Sequence, residues 1–218
     1  MSRISSIRTR PTTTGFLVQR ALVANLTRLI VEGLASRPAG ILIDVGCGNS
    51  PYGELLPGWR RVGVNIDAGD ANPDVVGDGL QLPFRDACAD AVLCTQVVEH
   101  VRDPFLLFRE LSRVLKPGGV LILSGPMYWP LHEEPHDYWR FTEHGLRQLA
   151  RQAGLETQSI LREGGAVALT AVSINHLFRG PVFLPVRLVV NLAGLALDKI
   201  WHVTHSSPNL SLRAVKLP

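Results

Sequence analysis

Residues 41–52 read ILIDVGCGNSPY, and the passage from apolar run to glycines decides how the chain folds. ILIDV is short, nearly all apolar and β-branched, which suits a strand buried on both faces of a parallel sheet. Gly46 and Gly48 then permit a tight turn and let a ligand come close to the backbone. A dinucleotide loop of the form G-x-G-x-x-G would need glycine at position 51, where this chain has Pro51. The loop also lacks the Lys-Ser/Thr pair of a phosphate-binding loop, and it carries an acid, Asp44, ahead of the first glycine.

Outward from this stretch the same signature repeats. RVGVNI (61–66), DVVGD (74–78), DAVLCTQ (90–96) and GGVLILSGP (118–126) are further apolar runs of strand length. Upstream, 16–35 places Val18, Leu22, Leu26, Leu29, Ile30 and Gly33 on one helical face. Between 103 and 119, Asp103 suits an N-cap and Pro104 the first turn. Phe105, Leu106, Phe108, Leu111 and Leu115 make an apolar face, Lys116 falls in the last turn, and Pro117-Gly118-Gly119 is the stop. Thr142 opens a helix over 143–153, followed by a strand, LETQSIL (155–161). Strands alternating with helices predict a doubly wound, Rossmann-like α/β fold, mostly parallel with a C-terminal antiparallel strand at 209–217. Only DAGDANP (67–73) joins the second strand to the third, too short for a crossover helix.

The chain has 218 residues, 46% hydrophobic and 19% charged, with a formal charge of +3. That supports one globular domain over 15–218, preceded by a flexible tail, 1–14. Basic residues occur singly or in pairs without interleaved aromatics, so no nucleic-acid partner is expected. The three cysteines, Cys47, Cys88 and Cys94, lack C-x-x-C spacing, as in a reduced cytoplasmic protein. The N-terminal stretch has no apolar core of the signal-peptide kind.

DVGCG, VGVNID, GDGLQLPF, TQVVEHVRDP and RVLKPGG, in this order, resemble class I S-adenosylmethionine-dependent methyltransferases, in their type 11 branch. The resemblance covers about 40–160 and implies S-adenosylmethionine as cofactor. It implies that Asp44, Gly46 and Gly48 hold the methionine end. The family's ribose-binding acid has Asn65 at its usual place and Asp67 two residues on; strand alternation puts both on one side. Asp78, with Gly79 and Leu80 beside it, resembles the adenine contact, and Gln96 lies under the sulfonium.

The acceptor side falls to MYWPLHEEPHDYWRFT (127–142), beyond the carboxyl end of the fifth strand. A subset of the type 11 branch carries a similar H-x-x-P-x-D-Y-x-R-F/Y-T segment, associated with sugar and polysaccharide modification. His132 and His136 are the candidate bases for a hydroxyl acceptor, and Asp137 would orient a histidine or hold the acceptor. His100, after Glu99, reads as structural or as part of the cofactor shell. HEEPH (132–136) also matches the zinc-peptidase pattern, but Pro135 between the histidines opposes the helix that pattern needs, so no metal is assigned.

The expected activity is O-methylation of a small molecule or glycan precursor. Two alternatives stand beside it: a lipid-linked acceptor at the membrane surface, and a non-catalytic cofactor-binding or scaffold protein. The apolar segment 165–204 is read as a helical insertion. PVFLPVRLVVNLAGLALDKIWHV (181–203) within it suggests either peripheral membrane contact or a homodimer face on a cytoplasmic protein.

Overall fold

The structure is a computed structural model, and it describes residues 10–49, 52–69, 72–201 and 205–218. Seven strands form one sheet in the order β3-β2-β1-β4-β5-β7-β6. They are β1 (Ile41–Val45), β2 (Arg60–Asn65), β3 (Val75–Val76), β4 (Ala89–Thr95), β5 (Leu115–Pro126), β6 (Leu155–Glu163) and β7 (Asn209–Lys216). β1 to β5 pair in parallel, and β7 runs antiparallel between β5 and β6. The expected mixed, doubly wound sheet is therefore observed.

Five α-helices accompany it: α1 (Phe16–Leu34), α2 (Pro104–Val114), α3 (Glu143–Gln152), α4 (Ala166–Leu177) and α5 (Leu184–Ile200). α1 buries Leu26, Leu29, Ile30 and Leu34 against Leu42, Leu93 and Ile122 on one face of the sheet. α2 and α3 cover the other face through Leu107, Phe108, Leu111, Leu146 and Leu149. Burial of these side chains at about 25 cal/mol per Å² of apolar area is the main force holding helices to sheet. No helix joins β2 to β3 among the described residues, in keeping with the short connection.

Local chemistry sets the helix starts. Asp103 Oδ1 accepts from Leu106 N at 2.9 Å ahead of Pro104, and Thr142 Oγ1 accepts from Gly145 N at 3.1 Å. The face of α2 differs from expectation. Phe105 is exposed and Leu107 fully buried, because the buried stripe follows Pro104, Leu107/Phe108, Leu111 and Val114. Nor is Lys116 in the last turn of α2. The helix ends at Val114, β5 begins at Leu115, and Lys116 Nζ donates to Asp90 Oδ1 at 2.7 Å from within the strand.

α4 and α5 form a hairpin that packs on α1, where Ala168, Ala171 and Val172 meet Phe16, Leu17 and Val18. Residues 1–9 and 202–204 lie outside the described residues. Residues 11–14, expected as the end of a flexible tail, are instead pinned. Asn191 Nδ2 donates to Pro11 O and Thr13 O at 2.6 and 2.9 Å, and Asn175 Nδ2 to Thr14 O at 3.1 Å. Arg187 Nε adds a bond to Thr12 O at 2.9 Å. Buried amides and an inward arginine satisfy carbonyls that would otherwise face solvent.

Between β6 and β7, Glu163 is fully buried, accepts from Ser211 Oγ, and has its carboxyl pushed up to about 8 by burial. Its folded value lies above the unfolded one, 4.5, so the native state binds the extra proton. Stability should therefore fall as pH rises through that window, by about 1.4 kcal/mol per pH unit at most from this group. Urea midpoints between pH 5 and 8.5 should decline in the wild type and flatten in Glu163→Gln; an equal decline in both would remove Glu163 as the cause.

Candidate active site

β1, β2, β4 and β5 all end at one edge of the sheet, and the candidate residues collect there. The turn after β1 has Gly46 at φ 67° and Gly48 at φ 44°, a region that favours glycine. A Cβ added at Gly46 would collide with Val97, whereas one at Gly48 would meet nothing within 4 Å among the described residues. Gly46 thus closes the turn on the β4 loop, and Gly48 leaves open space beside the backbone. Asp44, on β1, is buried.

Gln96 follows β4 with φ 55°, its Nε2 donating to Ser124 Oγ at 3.0 Å and its N to Ser124 O at 3.0 Å. Asn65 is the last residue of β2 and is half-buried; Asp67 is exposed in the bend beyond. The strand ends at Asn65, so Asp67 lies in the bend beyond the alternating stretch. Asp78 Oδ1 accepts from Leu80 N at 2.8 Å, shaping the turn around Gly79, which packs under Leu107 and Val45. Open space at Gly48 and carboxylates at the tips of neighbouring strands suit a ligand with an amino-acid end and hydroxyl donors. The residues therefore fit S-adenosylmethionine.

The segment after β5 folds back across this edge. Asp137, with its side chain 1% exposed, receives Arg140 Nη1 and Nη2 at 2.6 and 2.7 Å. Arg140 also donates to Trp129 O, Trp139 O and Pro130 O. That pairing holds the Asp137 carboxyl far below the usual carboxylate range. Asp137 Oδ2 accepts from His132 N at 3.0 Å, and His132 Nδ1 lies 3.2 Å from the same oxygen, outside hydrogen-bond geometry. Asp137 thus fixes the main chain at His132.

Glu99 is where the sequence said least. It is fully buried, neither carboxylate oxygen has a hydrogen-bond partner, and burial pushes its carboxyl up to about 7. The Glu99 carbonyl accepts from Tyr138 N at 2.9 Å, tying the segment to β4. His100 Nδ1 meets His136 O at 2.7 Å, and the His100 and His132 rings stand edge to face at 4.8 Å. Glu99, His100 and His132 each bring a ligand-type atom within 4.8 Å of the others, a grouping able to accept a cation. His100 is therefore a member of this cluster. The signal was the Glu99-His100 pair itself, read as structural or as part of the cofactor shell.

His136 lies elsewhere: exposed, with Nδ1 3.0 Å from Tyr138 Oη. His132 to His136 is non-helical, so the HEEPH residues do not make the i, i+4 metal pair of zinc peptidases.

Arg140→Ala would strand the Asp137 charge and should cost about 3–5 kcal/mol, read as a lower urea midpoint. Arg140→Lys should recover only part of this, because a lysine cannot make the two-pronged contact. A midpoint unchanged in Arg140→Ala would show that this pair does not hold the segment.

Comparisons with known proteins point to the same family as the sequence motifs. The type 11 methyltransferase domain family matches residues 43–123. A ubiquinone biosynthesis O-methyltransferase of Xanthomonas axonopodis pv. citri is 35% identical over 120 residues, 46% of this chain and 49% of that protein. A probable S-adenosylmethionine-dependent methyltransferase of Mycolicibacterium smegmatis is 28% identical over 166 residues, 68% of this chain and 65% of that protein. The chain thus matches less than two thirds of the length of these relatives. Among solved structures, a putative sarcosine dimethylglycine methyltransferase from Galdieria sulphuraria superposes with TM-score 0.60 at 17% identity, over 91% of this chain and 88% of that one. Residues 43–123 thus resemble the methyltransferase domain of S-adenosylmethionine-dependent enzymes.

Proposed function

We propose that the protein transfers a methyl group from S-adenosylmethionine to a hydroxyl of a small molecule or glycan precursor. Asp44, Gly46 and Gly48 would hold the methionine end, Asn65 or Asp67 the ribose, and Asp78, Gly79 and Leu80 the adenine, with Gln96 beneath the sulfonium. When bound, the cofactor supplies an activated methyl group, so the chain's task is alignment, exclusion of water and removal of the acceptor proton.

The observation that carries this reading is His132. Its backbone is fixed by the buried Asp137, and its ring meets His100 and Glu99 beyond the end of β4. We assign His132 as the base that takes the hydroxyl proton, with Asp137 as its positioning residue. His136 stands outside the cluster and lines the outer rim. The name of the Xanthomonas relative supports oxygen as the methylated atom.

A labelled-methyl assay against extracts of the native cell, followed by product identification, tests the reading. His132→Ala should lower turnover by about 10²–10⁴-fold, with cofactor affinity by calorimetry unchanged; His136→Ala should have the smaller effect. Full turnover in His132→Ala would move proton removal elsewhere. A wild type that binds no cofactor at millimolar concentration would leave the scaffold reading in its place.

A further inference from the structure

The α4–α5 hairpin presents far more apolar surface than its packing uses. Pro181–Ile200 is long and apolar enough to cross a bilayer, yet only 11% of its most apolar window is buried. Val182, Val186, Val189, Leu192, Leu197 and Ile200 are all exposed on it. The last residue of α4 and the turn beyond it add exposed apolar surface, with Leu177 79% and Val182 77% exposed. A contiguous exposed face of this extent marks an interaction site.

Charge selects the occupant. Arg187, the one charged residue within 181–197, turns inward and donates to Thr12 O, Phe178 O and Gly180 O, which leaves the outer face uncharged. The exposed charges flanking the face are cations, Arg179 at one end and Lys199 at the other, with Trp201 67% exposed beside Lys199. Near Lys199 a cavity of ≈ 210 Å³ between α1, α4 and α5 has Leu17, Ala168 and Leu195 in its wall, with Arg20, Asp198 and Lys199 around it. An apolar face with basic ends and a terminal tryptophan matches the depth profile of a lipid surface: acyl chains inside, aromatic ring and cations at anionic headgroups.

The packing of α5 suits a helix lying on a bilayer rather than one crossing it. Asn191, in mid-helix, is buried and bonds Pro11 O, Thr13 O and Asn175, and Gly194 packs on Leu17. Spanning would tear out these polar contacts. The hairpin also touches the acceptor segment: Trp129 stands edge to face with His176 of α4 at 6.0 Å.

We propose that the outer face of α4–α5 docks the protein on a bilayer containing anionic lipid, bringing the segment over the active site to the membrane surface, where a lipid-carried acceptor would be presented. The acceptor clause rests on the methyl-transfer reading; the docking does not.

Flotation of the full chain on vesicles of phosphatidylcholine, with and without phosphatidylglycerol, tests the proposal. The wild type should float with the phosphatidylglycerol vesicles, less with phosphatidylcholine alone, and less as salt rises. Val189→Glu combined with Leu192→Glu should stay in the dense fraction with cofactor affinity unchanged. Arg179→Ala and Lys199→Ala should each weaken binding about fivefold. A wild type that stays in the dense fraction with both vesicle types would overturn the proposal. So would a solution dimer that Val189→Glu/Leu192→Glu converts to monomer, since a second copy would then be the occupant. Cofactor binding, measured separately, keeps failure of docking distinct from failure of the methyl-transfer reading.

Discussion

The contact of Gly46 with Val97 governs the site. A positive φ at Gly46 turns the chain back after β1, and the missing side chain lets that turn close on the loop after β4. Closure sets the β1 turn against the positive-φ Gln96 and puts Gly48 at the open side. A larger residue at 46 would meet both backbone strain and a collision. The parallel sheet supplies the edge, and this contact shapes the part of it proposed to face the cofactor.

On the acceptor side a different constraint operates. Asp137 and Arg140 are sequence neighbours whose two-pronged pairing forces MYWPLHEEPHDYWR into a compact fold over β4. Buried charge is costly unless paired, so the arginine that satisfies Asp137 also gathers the carbonyls of Trp129, Pro130 and Trp139. The result holds His132 near the buried Glu99, whose Oε1 lies 3.8 Å from His100 Nε2. A buried carboxyl with a raised pKa beside two imidazoles is the kind of grouping that proton transfer can use.

Most of the sheet was legible in the sequence because buried parallel strands leave continuous apolar runs, and ILIDV, DAVLCTQ and GGVLILSGP are of that kind. The helix faces were less legible: α2 offers Phe105, Leu106, Leu107 and Phe108 in succession, and periodicity alone does not choose among them. The pinning of residues 11–14 rests on Asn175, Arg187 and Asn191, more than 160 positions away, which no local pattern reveals. The tight turn after β1 could be read because glycine spacing is local. The Glu99–His100–His132 cluster could not, because it joins β4 to a segment beyond β5.

In the proposed reading, the edge formed by Gly46, Gly48, Asp78 and Gln96 holds S-adenosylmethionine with its methyl group turned toward His132. A crystal structure with S-adenosylhomocysteine and the identified acceptor tests this. The amino-acid end of the ligand is expected against Gly46 and Gly48, its sulfur near Gln96, and the acceptor oxygen within hydrogen-bonding distance of His132. Ligand bound away from the Gly46 turn, or an acceptor oxygen remote from His132, would contradict it.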